Sequence, residues 1–304
     1  MQLIAKDGQQ IWLYCWDEVE KPKGILQIFH GMSEHAGRYA RFARFLNSRG
    51  YLVFGDDHRG HGKTAELSGN QGYLGEDGFN RVVEDEIMIT DYIHNRYPDL
   101  PIYVLAHSFG SFVGQEYLTR YSHRIAGMIL SGSAAQTGVK FHFASKIADI
   151  YCGVFKETKV AGLLDRLSFG SYNKRIPKAG AFAWLSRDEE EVNRYNDDTA
   201  CGFVATANFY RHFCKALTGL YTADKLTQIR RDIPICLIAG KEDPVGEYGR
   251  RVTMLYELYR KQGLNNLNIH LYEGARHELL NEINREEVME DIFSWLEQQE
   301  GYTY

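Results

Sequence analysis

The chain has 304 residues, enough for two domains or for one large α/β domain carrying an insertion, at about 150 residues per domain. Hydrophobic residues make up 44% and charged residues 25%, which excludes a disordered, collagenous or coiled-coil chain. Thirty-five Lys and Arg against forty Asp and Glu leave a net charge of −5 with no basic run, so no nucleic-acid partner is expected and a small neutral or mildly polar ligand fits better.

Two short apolar runs, Leu3 to Ala5 and Ile11 to Tyr14, flank Asp7-Gly8 and predict an antiparallel hairpin. Six further runs read as buried strands: 24–29, 51–54, 102–105, 125–130, 235–239 and 267–272. Between them lie helical stripes. Tyr39, Phe42 and Leu46 precede Gly50; Val82, Ile89, Ile93 and Tyr97 precede Pro98; Phe112, Val113, Tyr117 and Tyr121 follow the fifth strand. Val252, Leu255 and Tyr259 end at Gly263, and Val288, Ile292, Trp295 and Leu296 close the chain. Each stripe reads as core packing. Strand alternating with helix predicts an α/β fold with an eight-stranded, mostly parallel sheet flanked by helices.

The rhythm fails between about Ala135 and Ala223, where helical stretches carry Phe141, Phe143, Phe155, Phe182, Trp184, Phe203, Phe209 and Phe213. The expected organisation is a core of residues 1–134 and 224–304 with a helical cap, 135–223, inserted between two strands. As a set the cap aromatics favour an apolar tunnel. No run approaches the length of a spanning helix, and the N-terminus lacks the apolar core of a signal peptide. Cys15, Cys152, Cys201, Cys214 and Cys236 are widely spaced without a Cys-x-x-Cys and read as free thiols, so a cytoplasmic protein is expected.

The sharpest local signal is Ala106-His107-Ser108-Phe109-Gly110, placed between a strand and a helix. A serine on that turn has its hydroxyl lifted above the sheet, and its neighbours must be small because strand and helix pass closely. Arg166-Leu167-Ser168-Phe169-Gly170 repeats Ser-Phe-Gly, but with a bulky Arg166 and no preceding strand it reads as chance. A serine nucleophile needs a histidine base and an orienting acid, in the chain order Ser, acid, His. Asp243, after the strand ending at Gly240, and His277, after the last strand, satisfy that order; Glu242 is the rival acid and His270 the rival base. Arg276 and Glu278 read as surface charges. Two backbone N–H groups should receive the oxyanion: Phe109, following the serine, and Met32, in the loop that Gly31 allows to turn.

His30-Gly31-Met32-Ser33-Glu34-His35-Ala36-Gly37-Arg38-Tyr39, then Asp57-His58-Arg59-Gly60-His61-Gly62, the elbow, Asp243-Pro244-Val245 and His277-Glu278 together resemble the monoacylglycerol lipase and lysophospholipase group of α/β-hydrolases. The match covers nearly the whole core in order. The resemblance implies an α-helical cap between the sixth and seventh strands, a Ser108–Asp243–His277 triad, an oxyanion hole at Met32 and Phe109, and hydrolysis of single-chain acyl esters. Ala106 departs from the usual Gly, and Phe109 stands where Met is frequent. His58-x-x-His61 beside Asp56 and Asp57 is explained as the loop after a core strand rather than a metal site, and Ser33 as a loop hydroxyl. Asp188 to Glu191 reads as a solvated face at a helix start.

The expected protein is a serine esterase that needs no cofactor and no metal. Its partner is a small-molecule acyl ester, with transient lipid contact through the cap. Two alternatives remain: an aminopeptidase-like amide hydrolase, with Asp188 to Glu191 or Asp197-Asp198 holding an α-amino group, and a non-catalytic ligand-binding homologue.

Overall fold

The computed structural model describes residues 1–176 and 180–299. Eight strands, β1 (Gln2–Ile4), β2 (Gln10–Trp16), β3 (Gly24–Phe29), β4 (Tyr51–Asp57), β5 (Ile102–His107), β6 (Gly127–Ser131), β7 (Ile235–Gly240) and β8 (Leu267–Tyr272), form one sheet in the order β1-β2-β4-β3-β5-β6-β7-β8. The predicted hairpin is present as β1 against β2. β2 is also antiparallel to β4, and every later pair is parallel. This is the α/β-hydrolase arrangement.

The helices before β6 are α1 (Ala40–Ser48), α2 (Gly62–Ser68), α3 (Gly78–Arg96) and α4 (Phe109–Tyr121). Five more, α5 (Val139–Val154), α6 (Gly162–Phe169), α7 (Glu189–Asp197), α8 (Ala207–Gly219) and α9 (Ala223–Leu226), lie in the chain between β6 and β7. After β7 come α10 (Arg250–Lys261) and α11 (Arg285–Gln298).

Because strand side chains alternate, the sheet buries a different set on each face. Leu26 and Ile28 of β3 join Phe42 and Leu46 of α1 and Val288, Ile292 and Trp295 of α11 in one cluster. Ile25 and Phe29 join Val82 and Ile89 of α3, Phe112 and Tyr117 of α4, and Val252 and Leu255 of α10 in the other. That second cluster runs on through Ala148 of α5, Leu164 of α6, and Phe209, Tyr210 and Leu217 of α8. The helices between β6 and β7 therefore share a core with the sheet.

Local differences from the sequence reading have physical causes. β4 outlasts its apolar run because Gly55, Asp56 and Asp57 keep pairing with Tyr14, Leu13 and Trp12 of β2. α2 was not predicted, as Gly62-Lys63-Thr64-Ala65-Glu66-Leu67-Ser68 has too few apolar positions to show a stripe. β6 starts at Gly127 rather than Ile125, although Ile125 and Ala126 are equally buried.

Candidate active site

β5 ends beneath Ser108, and α4 starts immediately after it. The serine takes φ 50°, ψ −117°, a conformation that costs a non-glycine residue about 1–3 kcal/mol and that the neighbours hold in place. Its N–H donates to Ser131 O of β6 (3.0 Å), and its carbonyl accepts from Ser111 N–H (2.9 Å) and the Ser111 hydroxyl (2.6 Å). A Cβ on Gly110 would stand 2.3 Å from Phe29 O, so only glycine lets α4 leave the turn past the end of β3. Ala106, the departure noted above, is accommodated by Gly114: a Cβ there would lie 2.9 Å from the Ala106 methyl.

Two loops from neighbouring strand ends bring Asp243 and His277 to this serine. Asp243 follows β7 and is fully buried, whereas Glu242 beside it is exposed. One Asp243 oxygen accepts Val245 N–H at 2.8 Å; the other accepts His277 Nδ1–H at 2.9 Å. That leaves His277 Nε2 to accept the Ser108 hydroxyl proton at 2.8 Å. Burial disfavours the imidazolium, but Asp243, with Glu278 and Glu34 behind it, outweighs burial and raises the His277 pKa above its ordinary value. His270 stays on the exposed face of β8 against Tyr272. Ser168 bonds its own helix at Leu164 O (2.9 Å).

Gly31 passes so close that a Cβ on it would be 3.2 Å from Ser108 Cβ. Met32 and Ser108 share the wall of one cavity, and neither the Met32 nor the Phe109 amide donates to a protein acceptor among the described residues. The Phe109 amide also opens the N-terminus of α4, where the helix dipole favours negative charge. Its ring is buried between His58, His61, Phe79, Phe209 and Phe213, so Phe in place of Met serves packing. Ser33 is a loop hydroxyl as expected, donating to Phe203 O (2.7 Å).

The cavity over Ser108 measures about 1030 Å³. Phe141, Phe143, Phe182, Trp184, Phe203 and Phe213 line it together with Leu164, Leu167 and Leu217. Phe155 and Phe209 do not: the first is half-exposed, the second lies in the shared core. Trp184 also packs on the His277 ring (centroids 5.1 Å).

Several charges are not where the sequence reading put them. Glu278 is buried in an ion pair with Arg38, whose cation overcomes burial and holds the carboxyl at about 2. Arg276 is half-buried and donates to Ala183 O and Ser186 O, 2.7 and 2.8 Å away, so neither is a surface charge. In the acidic run, Asp188 caps α7 by accepting Glu190 N–H, yet Glu191 is buried against Arg41 and Arg194. A further group escaped notice because α3 supplies part of it. Asp56, His58 and Glu86 meet at the buried end of β4, with His58 Nδ1 3.2 Å from both acids. Burial, and after it the neighbouring Asp56, push the Glu86 carboxyl well above its ordinary value. His61 is not in that group; its Nδ1 faces Arg59 O. A second set of metal-type side chains, His35, Asp198 and Cys201, is closed by the His35–Asp198 contact at 2.9 Å.

Residues 20–284 match the family described as serine aminopeptidase, S33. The chain belongs to that family. It is 27% identical to the human monoglyceride lipase over 97% of this chain and 89% of that protein. With the monoacylglycerol lipase of Mycolicibacterium smegmatis it shares 29% over 95% and 93%. Among solved structures, a thermostable carboxyl esterase from Bacillus coagulans in complex with glycerol superposes with a TM-score of 0.90, at 29% identity over 98% of this chain and 97% of that one. The chain is thus a hydrolase of the α/β-hydrolase fold, as the motif resemblance implied.

Proposed function

We propose that the protein hydrolyses single-chain carboxylic esters through an acyl-enzyme on Ser108. The observation that carries this reading is the line from Asp243 through His277 to the Ser108 hydroxyl at the floor of a large apolar cavity. His277 takes the hydroxyl proton as Ser108 attacks the acyl carbon and returns it to the leaving alcohol; water then deacylates the enzyme by the same base. The Met32 and Phe109 amides receive the oxyanion. Residues 135–223 act as the cap, and the cavity they enclose takes the acyl chain at about 0.8 kcal/mol per buried methylene. Relatives named for monoacylglycerol lipase, and the phospholipase YtpA of Bacillus subtilis at 22% identity, bracket the substrate class.

The outer face of the cap suits transient contact with a lipid surface. Val139, Ile150 and Val154 of α5 and Leu163 of α6 are exposed and do not line the cavity, while Phe143, Ile147 and Leu167 are exposed and line it as well. No helix among the described residues is long and apolar enough to cross a membrane. All five cysteines are free, which suits a reducing compartment and supports a cytoplasmic location.

An amide-hydrolysing reading has one observation of its own. Asp188 to Glu191 and Asp197-Asp198 do not line the cavity, but Asp165 does, accepting the Tyr210 hydroxyl (2.9 Å). A panel of p-nitrophenyl esters, monoacylglycerols, lysophosphatidylcholine and aminoacyl anilides, with Ser108→Ala as the blank, separates the readings. Ester turnover that disappears in the variant is expected. Preference for the anilides, or ester turnover that survives Ser108→Ala, overturns the proposal.

A further inference from the structure

Between the loop that carries Met32 and the loop that carries His277 lies a single guanidinium. Arg38 sits in the turn before α1, mostly buried, with both partners more buried still. Its Nη1 donates to Glu34 Oε2 (2.5 Å) and to Glu278 Oε1 (2.7 Å), and its Nη2 donates to Glu278 Oε2 (2.7 Å). The Tyr195 ring of α7 covers the guanidinium at 4.8 Å.

Each carboxylate then reaches one residue of the reaction centre. Glu34 Oε1 accepts the Gly31 N–H at 2.6 Å and the Tyr39 hydroxyl at 3.0 Å, which fixes the peptide directly ahead of Met32. Glu278 follows His277 in the chain, and its own N–H donates to Leu185 O (2.7 Å). From Gly31 to Glu278 the chain of contacts is continuous, and every link is a charge-assisted bond between largely buried groups.

We infer that Arg38 is a positioning residue, one that sets the oxyanion loop and the histidine loop at a fixed separation through Glu34 and Glu278. This rests on the ester-hydrolase reading. A buried ion network of this kind is a poor source of net stability, because desolvating three charges offsets most of their attraction. What it supplies is geometry. The bidentate grip on Glu278 resists rotation, and a lysine, as a point charge, cannot hold both carboxylates in the same orientation. The oxyanion amides and the base act on opposite sides of one acyl carbon, so their relative placement bears on the chemical step more than on ground-state binding.

The test uses the full chain and soluble p-nitrophenyl butyrate. kcat, KM and the thermal midpoint are measured for Glu34→Gln, Glu278→Gln, the double variant and Arg38→Lys. Lys241→Gln, which removes an exposed ion pair with Glu273, is the control. Wild-type turnover abolished by Ser108→Ala in the same assay establishes the underlying reading; without it, that reading falls first. Given that turnover, each single substitution and Arg38→Lys should lower kcat about 10- to 100-fold with KM within about twofold. The double variant should lose no more than about threefold beyond the worse single, since both break one connection. Folded variants that keep kcat within about twofold of wild type overturn the inference, as does a double variant whose losses multiply. A fall in kcat that merely follows the folded fraction at the assay temperature assigns the network to stability and overturns it too.

Discussion

In the proposed mechanism, protonation of His277 decides whether Ser108 can be activated, and the surroundings of that ring fix the direction of the pH dependence. A general base must be neutral, and the carboxylates around His277 raise its pKa above the ordinary 6.5 despite burial. The acid limb of kcat/KM for a soluble ester is therefore expected above pH 6.5, with activity lost as pH falls through it. Asp243→Asn removes the largest of the raising charges, so the limb should move to lower pH while kcat drops about 10⁴-fold through loss of the correct tautomer. A limb that stays in place would show that Asp243 does not set the titration of the base. At this scale the grouping of Ser108, Asp243 and His277 was legible because strand ends and chain order restrict where a proposed nucleophile, acid and base can stand. Glu278 was not legible. Its partner Arg38 lies 240 residues away in the chain, and a charge beside an exposed-looking turn gives no sign that the fold will bury it.

Among the elements, the β5–α4 turn is where backbone geometry and side-chain size meet most tightly. Ala106 stands two residues before Ser108, and the space it needs comes from Gly114 one turn and a half into α4. A glycine inside a helix normally costs about 0.5–1 kcal/mol relative to alanine, so Gly114→Ala would be stabilising on propensity alone. The 2.9 Å approach to the Ala106 methyl reverses the sign. Overpacking should cost about 1–3 kcal/mol, and thermal unfolding should show the midpoint falling by a few degrees. In an Ala106→Gly background the same substitution should be neutral or stabilising; if it is equally harmful there, the two residues are not compensating. The strands were readable from their apolar runs, and the helices α1, α3, α4, α10 and α11 from their stripes. What was missed, the end of β4 and the whole of α2, depends on pairing with β2 and on packing that a local pattern does not encode.

Over the whole molecule, the break in the strand-helix rhythm coincides with the helices between β6 and β7, but it gave no sign that they join the sheet in one apolar cluster. Nor could aromatic content alone separate wall from core and surface, since Phe141, Phe209 and Phe155 take those three different places. The exposed residues of α5 that lie off the cavity, Val139, Ile150 and Val154, are the part of this arrangement with no packing explanation. Ile150 and Val154 are 67% and 69% exposed and do not line the cavity, so changing them leaves the proposed acyl site intact. If these residues meet a lipid surface, each side chain withdrawn from water there contributes on the order of 1.5–3 kcal/mol when fully buried, and less when it is only partly immersed. Ile150→Asn with Val154→Asn should then lower turnover of long-chain monoacylglycerol dispersed above its solubility about tenfold. Turnover of a short soluble ester should remain within about twofold of wild type, because that substrate reaches Ser108 without an interface. Equal loss on both substrates would mean that α5 holds the cavity in shape instead of docking it, and no loss on either would leave the entry of single-chain lipids to the monomers free in solution.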